Sequence, residues 1–276
     1  MSAILTKYWA RSAAIRNLRS SLTSTRPKGK NKLQNREGQR VPNAVFRIRQ
    51  NNEWHSVTTA DLFEGKNVVV FSLPGAFTPT CSSTHLPRYN ELAPAFFANG
   101  IDAILCVSVN DTFVMNEWAK EQECENVVVV PDGNGEFTDG MGMLVDKSDL
   151  GFGQRSWRYS MLVRNGVIEK MFIEPQKPGD PFEVSDADTM LAYVNPQARK
   201  PDQVAILTRD GCSFCAKAKE LLTAHGYDYA EVPLAHTSRS RIVGAITGEK
   251  TVPQVFVNGQ HIGGYDALEA WVKKAA

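Results

Sequence analysis

Three short stretches of this chain, 68–72 (VVVFS), 103–108 (AILCVS) and 127–130 (VVVV), are apolar at nearly every position instead of at every second one. Strands of this kind are buried on both faces, which requires helices above and below the sheet. Mixed segments of helical length separate them, so the chain up to about residue 196 reads as an α/β unit. Two further strands, 159–164 and 167–173, flank Asn165-Gly166, which supplies the positive φ angles of a two-residue turn and predicts a hairpin. A polar stretch with two prolines, 195–202, then predicts a linker. Beyond it the α/β logic repeats in miniature. Strand 204–207, a helix from about 215 to 225, strand 227–232 and helix 239–246 lead to strands 254–257 and 261–262 about Asn258-Gly259, then to a helix over 267–274.

Charge divides the chain differently. Residues 1–36 hold nine basic residues and no acidic one, whereas the remainder has 22 basic against 30 acidic. A folded part that acidic lacks the basic face phosphate neutralisation needs, which argues against a nucleic-acid partner. No window approaches the roughly 18 consecutive apolar residues of a membrane span, so no membrane partner is expected and the protein is expected to be soluble. The opening segment predicts a basic, disordered extension. It reads equally as an organellar transit peptide, a basic tail, or a stretch upstream of the true start. The expected location is cytoplasmic, or mitochondrial or another organelle if 1–36 is a transit peptide. Five cysteines in 276 residues are too few for a disulfide scaffold, and their odd number leaves at least one unpaired. Reactive thiols in a reducing compartment fit better.

The first reactive thiol follows the strand at 68–72. Pro74 and Gly75 break the strand, and Ser82 to Asn90 can start a helix despite Pro87. Cys81 then stands at a helix N-terminus, where free backbone N–H groups and the positive dipole end favour a thiolate. Thr78 can put a hydroxyl beside the sulfur, and His85 lies on the same helix face. An isolated cysteine is more often a small buried apolar residue; the string around this one decides otherwise. Pro-Gly-Ala-Phe-Thr-Pro-Thr-Cys-Ser, 74–82, resembles the active-site signature of the atypical type II peroxiredoxins. The resemblance runs from about Glu37 to Pro196 and includes Phe113-Val114-Met115, Pro131-Asp132-Gly133 and Gly151-Phe152-Gly153. It implies a peroxide site made of Pro74, Thr78, Cys81 and, within 155–160, Arg158. Thiolate attack on an O–O bond drives negative charge onto the departing oxygen, and a permanently charged guanidinium with paired donors suits that need. Some relatives carry a late resolving cysteine, but none lies between Cys124 and Cys212. Cys106, in a buried strand, is expected to be core packing. Cys124, ringed by carboxylates in Glu121-Gln122-Glu123-Cys124-Glu125, is expected to be unreactive.

The second is Cys212-Ser213-Phe214-Cys215, a Cys-x-x-Cys between a strand and a helix, which is the dithiol redox arrangement. Half of a zinc site is the competing reading; it lacks two further ligands at regular spacing. Residues 203–276 resemble a glutaredoxin. Thr251-Val252-Pro253 matches that family's motif, whose proline is cis, lies against the redox cysteine and pairs by backbone with glutathione. Gly263-Gly264-Tyr265-Asp266 matches the segment that holds the γ-glutamyl end, and Arg209 stands where a basic residue meets the glycyl carboxylate. Ser213 in place of the usual proline departs from the pattern, as does Ala267 in place of a frequent second acid.

Together the resemblances imply two thioredoxin-like domains in tandem, 37–196 and 203–276, joined by a linker at 197–202 and preceded by the 1–36 extension, as in the hybrid peroxiredoxin–glutaredoxin enzymes. The expected activity is reduction of hydrogen peroxide and alkyl hydroperoxides through a Cys81 sulfenic acid. Glutathione is the expected reducing co-substrate, with no tightly bound cofactor and no metal, in a homo-oligomer such as a dimer or tetramer. A peroxide-sensing relay to client proteins, or an iron–sulfur carrier built on Cys212, are the alternatives.

Overall fold

The computed structural model describes residues 33–236 and 238–275. All but the last four residues of the expected 1–36 extension lie outside them. The chain divides into two compact units, one ending at Arg199 and the next beginning at Lys200.

In the first unit a hairpin of β1 (Val45–Gln50) and β2 (Glu53–Thr58) leads into α1 (Thr59–Phe63) and β3 (Asn67–Leu73). A π-helical turn, Cys81–His85, runs into α2 (Leu86–Ala98), followed by β4 (Ala103–Ser108), α3 (Thr112–Glu121), β5 (Val128–Pro131) and α4 (Glu136–Gly140). A small pair, β6 (Leu144–Asp146) and β7 (Gln154–Ser156), precedes β8 (Tyr159–Arg164), β9 (Val167–Ile173) and α5 (Ala187–Val194). The main sheet has the order β5-β4-β3-β8-β9. β3, β4 and β5 are parallel, and β8 runs antiparallel to both β3 and β9.

The uninterrupted apolar runs have the predicted cause. Alternate residues of β3 feed two cores on opposite faces of the sheet. Val69, Phe71 and Leu73 pack with residues of α2, α3 and α5, while Val68 and Val70 pack with β1, α1 and α4. Asp111 and Asp186 cap α3 and α5 through their side chains. The expected helix after Cys81 is present, with Pro87 in its first turn where no N–H is needed. Its entry differs from expectation, because the chain first makes a π turn in which Leu86 N–H reaches Cys81 O.

The second unit contains β10 (Val204–Thr208), α6 (Ser213–Ala224), β11 (Ala230–Pro233), α7 (Arg239–Thr247), β12 (Gln254–Val257), β13 (Gln260–Gly263) and α8 (Tyr265–Ala275). Its sheet has the order β11-β10-β12-β13, with only the β10–β11 pair parallel. Both units are thioredoxin-like α/β folds. β11 starts three residues later than the sequence suggests, because Tyr227 N–H closes the end of α6 on Leu222 O and Tyr227 and Tyr229 pack against the core. Within the polar stretch between the units, Ala198 packs on the first core and Asp202 accepts from Asn258 Nδ2 in the second unit.

The connection from β9 to α5 has no regular structure and is organised by one buried carboxylate. Glu174 accepts from the backbone N–H groups of Glu183, Val184 and Ser185 and from Ser185 Oγ, at 2.7–3.0 Å. Hydrogen bonds to a charged group are worth about 1.5–3 kcal/mol each, and a buried donor left without a partner costs about as much. Glu174→Ala is therefore expected to lower the unfolding free energy by about 3 kcal/mol or more, measured by urea denaturation of the full chain.

Candidate active sites

The first centre begins where β3 ends. Pro74 closes the strand, Ala76 N–H bonds Asn110 Oδ1 at 3.1 Å, and Asn110 Oδ1 also accepts from Ser108 Oγ at the end of β4. The loop is thereby tied to two neighbouring parallel strands. Phe77 adopts a φ of 62°, a rare conformation for an aromatic residue. Thr78 Oγ1 donates to Gly75 O at 2.8 Å, which leaves its lone pairs for another donor, and Thr78 O accepts from Ser82 N–H. Cys81 is 0% exposed at the start of the π turn. Trp118 Nε1 on α3 holds Ser82 Oγ at 2.9 Å, fixing that turn from the side.

Arg158 enters between β7 and β8 and is 1% exposed. Burial opposes its charge, but the hydrogen bond and ion pair with Asp180 and the charge and hydrogen-bond interactions with Cys81 outweigh it. The guanidinium is held above its ordinary value. Cys81 and Arg158, 77 positions apart in sequence, thus face each other. Arg158 Nη1 lies 3.0 Å from His85 Nδ1, and Nη2 lies 2.5 Å from Asp180 Oδ2. A guanidinium only donates, so His85 Nδ1 accepts and its proton sits on Nε2, which donates to Ser185 O at 3.2 Å. Burial first, and the Arg158 charge second, push His85 well below its ordinary value, so it is neutral. His85 shares the centre as the sequence suggested, although as an acceptor for Arg158. Asp180 and Phe182 were not foreseen; Phe182 lies 5.4 Å from the guanidinium and 4.9 Å from the His85 ring.

Cys106 and Cys124 belong to the same core as Cys81. Burial, with Cys124 and Cys81 adding to it, pushes the Cys106 thiol well above its ordinary value. The Cys124 thiol is pushed up to about 12, and it donates to Val127 O at 3.4 Å. Burial causes this, in place of the neighbouring carboxylates invoked from sequence.

At the second centre Cys212 is the N-cap of α6, and its Sγ accepts from Cys215 N–H at 3.2 Å. Burial works against the Cys212 thiolate, but hydrogen bonds from the Cys215 thiol, Cys215 N–H and Phe214 N–H, together with the Arg209 charge, outweigh it and lower its pKa. Cys215 moves the opposite way, pushed up to about 11 by burial and by Cys212. The Val252–Pro253 peptide is cis, and Val252 O lies 3.7 Å from Cys212 Sγ. Thr251 O accepts from Gln254 Nε2. Gly264 brings its backbone against Pro253 O, where a Cβ would come to 3.6 Å. Tyr265 opens α8 with its ring 6.0 Å from that of Phe214. Cys212, Val252, Pro253, Gly264 and Tyr265 therefore surround one corner of this unit, with Arg209 within electrostatic reach. Asp266 is exposed in the first turn of α8.

The redoxin family model matches residues 36–191 and the glutaredoxin model residues 204–262. The hybrid peroxiredoxin hyPrx5 of Haemophilus influenzae is 62% identical over 235 residues, covering 85% of this chain and 98% of that protein. The chain belongs to the hybrid peroxiredoxins. The hybrid's first domain is also 59% identical over 169 residues to peroxiredoxin sll1621 of Synechocystis, covering 56% of this chain and 89% of that protein. Among solved structures, reduced Prx3 of Vibrio vulnificus in complex with hydrogen peroxide is 42% identical with a TM-score of 0.54, covering 57% of this chain and 98% of that one. The hybrid is thus a peroxiredoxin-type thiol peroxidase, an oxidoreductase, fused to a glutaredoxin domain.

The opposite displacements of the two vicinal thiols give a direct check. Because the thiolate is the nucleophile, iodoacetamide at pH 7 is expected to label Cys212 well ahead of Cys215. The Cys212 rate should rise with pH and level off below the ordinary thiol value, while Cys215 in the intact pair should still be gaining rate well above it, toward pH 11. Equal labelling of both at pH 7 contradicts the assignment.

Proposed function

We propose that this hybrid peroxiredoxin is a glutathione-dependent peroxidase in which the second domain regenerates the first. The observation that carries the reading is the pairing of a buried Cys81 with a buried, charge-compensated Arg158 in one unit and a low-pKa Cys212 beside a high-pKa Cys215 in the other.

In this reading the Cys81 thiolate attacks one oxygen of hydrogen peroxide or an alkyl hydroperoxide. The S–O bond forms as the O–O bond breaks, and the departing hydroxide or alkoxide takes a proton to leave as water or alcohol. Arg158 donates to the oxygen on which charge develops, in a site that excludes water and strengthens the interaction. Thr78 Oγ1, its proton committed to Gly75 O, accepts from the peroxide OH. Pro74 offers no N–H and shields the thiolate. Cys81 is left as a sulfenic acid. Glutathione then attacks this sulfur, water leaves, and a mixed disulfide forms. The Cys212 thiolate attacks the glutathione sulfur of that disulfide, freeing Cys81, and a second glutathione releases Cys212 as the oxidised dimer forms. Arg209, the backbone of Thr251, Val252 and Pro253, and Gly264, Tyr265 and Asp266 hold the tripeptide. Cys215 is dispensable along this monothiol route.

The decisive experiment supplies purified protein with peroxide and glutathione as the sole reductant. Turnover is expected. Its absence, with a thiol protein able to replace glutathione, favours the relay, and a brown protein with a visible absorption band favours an iron–sulfur carrier on Cys212. Cys81→Ser is expected to abolish peroxide turnover while sparing disulfide reduction by the second domain. Arg158→Lys should lower the peroxide rate severely, since a point charge does not reproduce the planar fork. Cys212→Ser should stop glutathione-driven turnover, whereas Cys215→Ser should keep much of it. Equal loss in both would route regeneration through a Cys212–Cys215 disulfide.

A further inference from the structure

A guanidinium carries five N–H bonds in a rigid plane, and its usefulness to a reacting peroxide depends on which of them point at the oxygens. Arg158 is gripped at both ends of that plane. His85 takes a bond from Nη1 and Asp180 one from Nη2. Three N–H bonds remain for Cys81 and the peroxide, among them the buried Nε–H, which has no hydrogen-bond partner among the described residues. Two of the five N–H bonds are therefore committed to protein acceptors, one on each Nη, and three are not.

The two acceptors are held differently. His85 is fixed on the π turn and anchored through Ser185 O. Asp180 comes from the irregular stretch between β9 and α5 and is 43% exposed, although its partner is almost wholly enclosed. The same stretch brings Phe182 against Arg158 and the His85 ring, and it ends in the backbone that Glu174 organises. An exposed carboxylate adds little to folding stability. It is nevertheless an anionic side chain paired with this cation, and with His85 it holds the two terminal nitrogens of the guanidinium.

We propose that Asp180 is a positioning residue for the peroxidase reaction: by accepting from Nη2 it holds the guanidinium so that its uncommitted N–H bonds serve Cys81 and the peroxide. The inference rests on the reading of Cys81 and Arg158 given above. Without Asp180 the guanidinium keeps its charge and its His85 bond but gains a degree of rotation. Displacing a catalytic group by about an ångström is enough to lower a rate by roughly a hundredfold. An amide in the same place still accepts through its oxygen, so the contact needs an acceptor more than a negative charge.

The test compares full-length parent, Asp180→Ala, Asp180→Asn and Cys81→Ser. The rate of Cys81 oxidation by hydrogen peroxide is read in single turnover, and the rate of Cys81 alkylation by iodoacetamide by mass spectrometry. Alkylation samples the thiolate and its access but makes no demand on a donor to a peroxide oxygen. Asp180→Ala is expected to lower the peroxide rate about tenfold to a hundredfold and to change alkylation less than about threefold, with Asp180→Asn recovering most of the lost rate. A peroxide rate within about threefold of the parent in Asp180→Ala overturns the inference, as does an equal fall in both reactions or a failure of Asp180→Asn to recover. Peroxide turnover retained in Cys81→Ser overturns the underlying reading instead, and the inference with it.

Discussion

A positive charge inside a protein needs compensation, and the first unit is arranged to supply it at the two terminal nitrogens of Arg158. Removing a guanidinium from water is expensive, and acceptors for its donors offset the cost. Arg158 imposes conditions that propagate outward. His85 must be neutral and must carry its proton on Nε2, and Ser185 must present its carbonyl to that proton. Ser185 in turn is held through its N–H and hydroxyl by Glu174, a second buried charge made tolerable by four donors. The chain from Arg158 to Glu174 is a relay of fixed orientations. Tyr89 joins it by donating to Ser185 O at 3.0 Å and stacking on Phe71.

The two thiol centres use different physics for different partners. Cys81 is fully enclosed next to a fixed cation, a setting suited to a small neutral oxidant that needs charge stabilised as a bond breaks. Cys212 sits at a helix N-cap with backbone N–H groups and a second thiol as its stabilisers, and it is only partly buried. That suits thiol–disulfide exchange, which requires access for a bulky disulfide and a leaving group of matched acidity.

Much of the architecture was legible because it rests on local periodicity. The doubly buried strands at 68–72, 103–108 and 127–130 reappear as β3, β4 and, shifted by one residue, β5, and both Asn-Gly turns join paired strands. The β1–β2 hairpin escaped notice, since its turn residues Asn51 and Asn52 lack the usual glycine although both take positive φ. The cysteines stood out through their flanking residues. Arg158 did not: as an isolated charge at the start of a strand it reads as solvated, and only the family resemblance singled it out. What buries it lies 73 residues before it and 22 after, and pairing of that kind leaves no periodic trace. Asp180 is harder still, because Gly179-Asp180-Pro181 reads as a surface turn.

The division of labour along β3 gives the reactive centre two mechanical supports. Its odd-numbered residues share a core with Cys81 and, through Phe71, touch the His85 and Tyr89 rings at 4.8 and 4.2 Å. Its even-numbered residues Val68 and Val70 look into a separate core with β1, α1 and α4. That second core also holds Phe46, Phe63 and Phe137, and with them Trp157 and Tyr159, the two neighbours of Arg158 in the chain. A substitution at an odd position of β3 therefore presses directly on the surroundings of the thiol, whereas one at an even position reaches the centre from the far side of the sheet, through the residues that flank its cation.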